Sequence, residues 1–214
     1  MKDNQLQTSP TEKKKKQKTK LQLKAPTQQR SRQTVSTILQ ACSKLLVQES
    51  FFSVTTDKVA KEAGVSIGSL YQFFGNKESV VSAVIRQLMS KDLEKFKTAL
   101  LNTENLSQQE KINLITKTLI EIYSTSVELR SKIQSIQNYL IDRQFFNEHM
   151  KSYSETIEKV LSPMQNRNSK CVSFVITNAL IGLLNNSFEQ NSRFYEDKKL
   201  LEEIELLFQT YIMA

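Results

Sequence analysis

Tryptophan is absent from the 214 residues, histidine occurs once, cysteine twice, proline three times and glycine four times. Glycine at about 2% lies well under the average of roughly 7%. A glycine-dependent phosphate-binding α/β enzyme is therefore a poor fit, and a helical chain a good one. The cysteines, Cys42 and Cys171, are too few for a disulfide scaffold and too far apart for a metal clip. Both sit in apolar-periodic stretches, which reads as reduced, buried thiols in a cytosolic protein. A lone His149 makes neither a metal site nor a Ser/His relay without partners. No run of 18 apolar residues exists to span a membrane, and residues 1–30 carry charge with no apolar centre, unlike a secretory leader. No catalytic residue, metal or cofactor is expected, and the chain is not read as an enzyme.

What is present is a chain with 39% hydrophobic and 24% charged residues, enough for one or two soluble domains with a real core. The net charge of +8 is uneven: residues 1–32 hold ten Lys/Arg against two acidic residues, and residues 33–214 hold twenty of each. Residues 1–30 (Lys13–Lys16, then Lys18, Lys20 and Lys24) have too little to bury and read as a disordered basic arm. Such an arm is either a solvated tail or an electrostatic tether to nucleic acid or anionic lipid.

From Ser31 the pattern turns helical, with Val35, Ile38, Leu39, Cys42, Leu45 and Leu46 on one face to about Gln48. Thr55-Thr56-Asp57 offers caps for a short helix that Gly64 stops. Ser66 caps a second short helix through Phe73, and Gly75-Asn76 opens a longer one carrying Val80, Val81, Val84, Ile85, Leu88 and Met89. Two short helices around a Gly-containing turn, the second with polar residues outward, form a helix-turn-helix over about 54–73. Further helical periods follow around 112–123, 127–141, 145–161, 171–188 and 196–213. The fold class is all-α.

The run Thr55-Thr56-Asp57-Lys58-Val59-Ala60-Lys61-Glu62-Ala63-Gly64-Val65-Ser66-Ile67-Gly68-Ser69-Leu70-Tyr71-Gln72-Phe73-Phe74-Gly75-Asn76-Lys77-Glu78 resembles the DNA-binding signature of TetR-family transcriptional regulators. The resemblance implies about nine helices. A DNA-binding domain at 31–91 with a three-helix core would be followed by a ligand-binding and dimerisation domain at 92–214. It further implies a cytoplasmic homodimer, nucleoid-associated when bound to a palindromic DNA operator, that acts as a repressor released by a small-molecule effector. Membrane is not among the expected partners. An effector-independent architectural DNA binder of the same fold is the alternative.

By the same resemblance Thr56 and Ser66 are phosphate-contacting caps, and Tyr71 and Lys77 grip the DNA backbone. Ile67, Gly68, Ser69 and Gln72 then approach base edges, and the Gln72 amide suits bidentate pairing with adenine. Two positions depart from the family pattern. Ser50 stands where glycine usually ends the first helix, so that cap is expected to be strained or differently shaped. Ile67 replaces a commonly polar residue and offers apolar contact only.

In the C-terminal half the expected pocket lining is Tyr123, Tyr139, Phe145, His149, Tyr153, Phe174 and Asn178, the aromatic and polar set on the middle helices. The helices at 171–188 and 200–211 carry more apolar surface than one bundle covers. They are expected to pair with a second copy through Phe174, Ala179, Gly182, Leu183, Leu200, Ile204, Leu207 and Tyr211.

The charge imbalance yields the first prediction. If the arm meets phosphates, deleting residues 1–29 flattens the slope of log K against log[salt] for duplex binding by about 0.9 per lost contact. An unchanged slope in a salt titration makes the arm a bystander.

Overall fold

The computed structural model describes residues 29–162, 164, 167–189 and 198–213; the basic arm lies outside the described residues but for its last two. The described chain is α-helical without strands. Its elements are α1 (Gln29–Gln48), α2 (Thr56–Glu62), α3 (Ile67–Tyr71), α4 (Lys77–Ala99), α5 (Gln108–Tyr123), α6 (Val127–Leu140), α7 (Arg143–Leu161), α8 (Ser169–Glu189) and α9 (Lys198–Met213).

Most starts are set by side chains that satisfy the unpaired N–H groups of a first turn. Asn76 opens α4 with a reciprocal cap: its Oδ1 accepts from Ser79 N at 2.8 Å while Ser79 Oγ accepts from Asn76 N at 3.2 Å. Ser107 and Glu110 do the same at α5, and Asp142 caps α7 by accepting from Phe145 N at 2.8 Å. Ser126 instead enters α6 with φ +56° and no side-chain cap.

Two apolar clusters divide the molecule. One gathers α1, α2, α3 and the first half of α4, with Ile38, Cys42, Leu46, Val59, Leu70 and Ile85 buried at its centre. The other gathers the end of α4 with α5, α7, α8 and α9, around Phe96, Leu119, Tyr153, Ile157, Ile176 and Leu180. A boundary at residue 91 falls inside α4, which runs on without a break. α6 also crosses it, because Leu129, Ile133 and Ile141 pack into the N-terminal cluster, joined by Phe145 and Phe146 at the start of α7. α4 and α6 thus belong to both halves.

An ion pair sits where they meet. Asp92 of α4 accepts from Arg130 Nη2 at 2.7 Å, both side chains being almost fully buried. Arg130 Nε donates to the Thr125 carbonyl at 2.9 Å, and Nη2 also to the Ile122 carbonyl at 3.1 Å. Its guanidinium lies 4.8 Å from the centre of the Tyr123 ring. A cation here matches the negative end of the α5 dipole. Burial raises the Asp92 carboxyl above its ordinary value while Arg130 pulls it down.

Cys42 is buried, which pushes its thiol up to about 12. Cys171 is exposed on the first turn of α8, contrary to expectation. The apolar period around it belongs to Val172 and Ile176, which face the core while their neighbour faces out.

Arg130→Met leaves Asp92 charged and unmatched in the interior and is expected to cost about 3–5 kcal/mol of stability. Pairing it with Asp92→Leu should recover most of the loss. Urea unfolding of the single and double variants reads the difference.

Candidate nucleic-acid interface

α2 is fixed to the scaffold by Val59 and Ala60, both buried, and by two ion pairs to α1 and its C-terminus, Lys44–Glu62 at 2.5 Å and Lys58–Glu49 at 2.6 Å. Gly64 then takes φ +65°, a conformation that would strain any other residue here, and turns the chain so that Val65 N donates to the Ala60 carbonyl. Ser66 caps α3: its Oγ accepts from Ser69 N at 3.1 Å and shares a 2.8 Å hydrogen bond with Ser69 Oγ. Leu70 and Phe74 anchor α3 from beneath.

The face left outward carries Ile67, Gly68, Tyr71 and Gln72, all exposed. Gln72 has no side-chain partner among the described residues, which leaves its amide available to pair. The Tyr71 ring is 51% exposed, and its hydroxyl lies 3.1 Å from Thr56 Oγ1. That contact corrects the reading of Thr56. The cap of α2 is Thr55, whose Oγ1 accepts from Lys58 N at 3.3 Å, and Thr56 is the first helical residue, where its hydroxyl orients Tyr71 instead.

Ser69 is half-buried with its hydroxyl engaged by Ser66, which leaves it less to offer a base than Gln72. Lys77 donates to the Phe51 carbonyl at 3.2 Å, and its Nζ lies 4.3 Å from the Phe51 ring centre. It is thereby held beside the α1–α2 connection. Ser50 is not strained: the positive-φ residues other than glycine, among those described, are Asn102 and Ser126. Its hydroxyl bonds Ser53 Oγ at 3.0 Å and closes the turn without glycine.

A second feature lies between the halves. α4, α5, α6, α7 and α8 enclose a void of about 40 Å³, on whose wall stand Tyr123, His149 and Tyr153 together with the Asp92–Arg130 pair. The other sequence-predicted lining residues stand elsewhere. Tyr139 is 83% exposed on the outer side of α6, and Phe174 and Asn178 face outward on α8, where Asn178 Nδ2 bonds the Phe174 carbonyl of its own helix. Phe145 packs behind the wall, stacked on His149 at 6.0 Å and under Arg86 at 4.2 Å. Asp92, Arg130, Gln134, Gln137 and Asn185 on the wall were not anticipated, since charged and amide residues on an amphipathic helix ordinarily read as its solvated face.

The expected dimer residues also divide. Phe174, Leu183 and Leu207 are exposed, with Val175 and Leu206 adding to the apolar surface of α8 and α9. Ile204 is buried in the chain's own core and is withdrawn from that surface. Ala179 and Tyr211 are half-buried and pack against the same core, and Gly182 is half-buried. The Leu200 side chain lies outside the described residues. Among the described residues no group of three or more His, Cys, Asp or Glu gathers for a metal, and no helix is long and apolar enough to cross a membrane.

Residues 38–84 match the family model of bacterial regulatory proteins of the tetR family. The chain is 24% identical over 127 residues to the fatty acid metabolism regulator protein of Bacillus subtilis (strain 168), across 58% of this chain and 64% of that protein. It is 31% identical over 52 residues to the HTH-type transcriptional regulator HbdR of Aromatoleum sp. (strain CIB), across 24% and 23%. It thus spans less than two thirds of the length of either relative. Its fold is shared with a TetR-family regulator structure from Mesorhizobium loti (TM-score 0.70, 15% identity, 87% of this chain and 98% of that one). The same holds for the fatty acid degradation regulator FadR of Bacillus halodurans (0.65, 18%, 82% and 94%). A third neighbour is Bacillus subtilis FadR in complex with stearoyl-CoA (0.60, 16%, 83% and 97%).

The burial of His149 carries a pH consequence. Its pKa is lowered from 6.5 to about 4, first by burial and then by Lys97. A depressed folded value means that the unfolded chain binds the proton more readily, so the stabilisation is present above about pH 6.5 and is lost as pH falls towards 4. The effect amounts to at most roughly 3 kcal/mol. Unfolding curves between pH 7 and pH 4 should fall more steeply for the native chain than for His149→Gln.

Proposed function

We propose that the chain, whose residues 38–84 match the model of bacterial regulatory proteins of the tetR family, is a DNA-binding transcriptional regulator of that family, a homodimeric repressor released from its operator by a small-molecule effector. The observation that supports the DNA face is the capped, rigidly seated α3, which holds Gln72 and Tyr71 outward inside the family-matched segment. A helix of this exposure fits the major groove, where an amide pairs bidentately with adenine and a nearby apolar residue such as Ile67 meets a thymine methyl. Thr56, Tyr71 and Lys77 lie beside it as backbone contacts, with Ser66 at the start of α3. The lysine-rich arm adds affinity that does not depend on sequence.

Dimerisation is supported by the exposed Phe174, Val175, Leu183, Leu206 and Leu207 on α8 and α9, a concentration of apolar surface that monomers rarely leave open. Two copies related by a two-fold axis would set two recognition helices on successive half-sites, about one turn of DNA apart or a multiple of it.

Release by an effector is supported by where the void lies. α4 and α6 both line it and both pack into the N-terminal cluster, so a change in their spacing reaches α2 and α3. A ligand shifts such an equilibrium only through its differential affinity for the two states. The names of two relatives, and the stearoyl-CoA bound by one of them, make fatty acyl compounds the first class to assay.

Selection of bound duplexes from a random pool tests the reading. A palindromic consensus is expected, and absence of any consensus counts against a sequence-specific dimer. Against the consensus, Gln72→Ala should fold normally, because the amide makes no bond among the described residues, and should lose about 1–3 kcal/mol of discrimination at one base pair per half-site.

A further inference from the structure

The void between α4, α6, α7 and α8 contains two polar groups that the fold leaves unanswered. Tyr153 is 2% and His149 9% exposed, both line the void, and neither has a hydrogen-bond partner among the described residues. Their close neighbours are rings: Phe96 lies 4.9 Å from Tyr153, Phe145 lies 6.0 Å from His149, and the two are 5.2 Å from each other. Polar groups that line an accessible void without a partner from the protein are there to be answered by water or by a ligand.

The charges on the same wall are committed elsewhere. Asp92 and Arg130 answer each other at 2.7 Å, and the remaining hydrogen bonds of Arg130 go to the Ile122 and Thr125 carbonyls. His149, with its pKa near 4, is neutral at physiological pH and offers one donor and one acceptor. The Tyr153 hydroxyl offers both as well. Gln134, Gln137 and Asn185 add amides without charge, and Leu88 and Ile181 supply apolar surface. A ligand carboxylate or ammonium would have to break the Asp92–Arg130 pair or be buried without a counter-ion.

We propose that the void is the seat for an uncharged hydrogen-bonding head group, a carbonyl, amide or hydroxyl carried on an apolar body, with His149 and Tyr153 as its binding residues. The proposal rests on the effector reading above and adds to it the chemistry of the ligand. About 40 Å³ accommodates the head alone; the body crosses Met89, Gln137 and Phe146, which the void shares with an outer cleft of about 450 Å³. All three are half-buried side chains. A head that reproduces the hydrogen bonds of water displaces it with gain, and one that does not loses affinity.

The test uses the full chain at pH 7 with four probes of one chain length: octanamide, 1-octanol, octanoate and octylamine, titrated by calorimetry and then added to the protein on its selected duplex. The two uncharged probes are expected to bind at least about tenfold more tightly than the two ions. Tyr153→Phe and His149→Phe should each lower octanamide affinity about fivefold or more. Tyr153→Phe should leave the melting temperature of the free protein unchanged or raised, since its hydroxyl bonds nothing among the described residues. Equal or tighter binding of either ion, no binding by any probe, or a melting temperature lowered by several degrees in Tyr153→Phe overturns the proposal. Preferential binding of the uncharged probes without release of the duplex upholds the site and sinks the effector reading.

Discussion

The Asp92–Arg130 pair is the constraint around which the rest of the molecule is arranged. Two apolar clusters that share α4 could slide past each other at little cost, since apolar contact is largely indifferent to register. A buried carboxylate and guanidinium are not indifferent: separating them leaves charge in the interior. Arg130 binds Asp92 on α4, the Ile122 carbonyl in the last turn of α5 and the Thr125 carbonyl just past it, from its own position on α6. One side chain therefore fixes the relative placement of three helices, and the void opens beside it. The seam is held by the interaction least tolerant of a small displacement.

Further along the same seam, contacts tie the DNA-binding half to the α6–α7 corner. Ser82 Oγ donates to the Leu140 carbonyl at 3.1 Å, and Arg86 bonds Asp142, the residue that caps α7. Phe145 stands between Arg86 and His149, so a group lining the void is two contacts away from α4's exposed face. This chain of contacts is physical adjacency, and it becomes coupling only if the corner has two positions that ligand and DNA prefer differently.

The DNA face itself is nearly uncharged, and the structure explains where its cations went. Lys44 and Lys58 pair with Glu62 and Glu49 to seat α2, and Lys77 is bound to Phe51. The excess positive charge of the chain lies in residues 1–32. On the proposed reading, attraction to DNA and reading of DNA fall to different segments, the first long-ranged and salt-dependent, the second short-ranged and geometric.

How much of this could be read from the residues alone depended on whether the information was local. Gly64, Ser66 and Asn76 act on their own next turn, and their roles as turn and caps are legible from spacing. Thr55 and Thr56 are chemically alike and adjacent, so which of them caps α2 is settled by one residue of register that Val59 and Ala60 impose from the core. Tyr139, Phe174 and Ile204 each sit on a periodic helix, but which stripe faces inward depends on which helices lie beside it. α9 is turned by packing that buries Ile204 with Phe208 and leaves Leu206 and Leu207 out. Arg130 was the least legible of all, because its burial follows from an aspartate 38 positions away. The wall of the void combines these cases, being assembled from five helices whose facing sides no single segment encodes. Its small size has an energetic meaning: a ligand must open the wall as it binds, and the cost of opening lowers its apparent affinity by the fraction of open molecules in the free protein. A ligand that binds well must therefore recover that cost at the two unanswered groups, which is why the discrimination built into such a site should lie in hydrogen bonding rather than in volume.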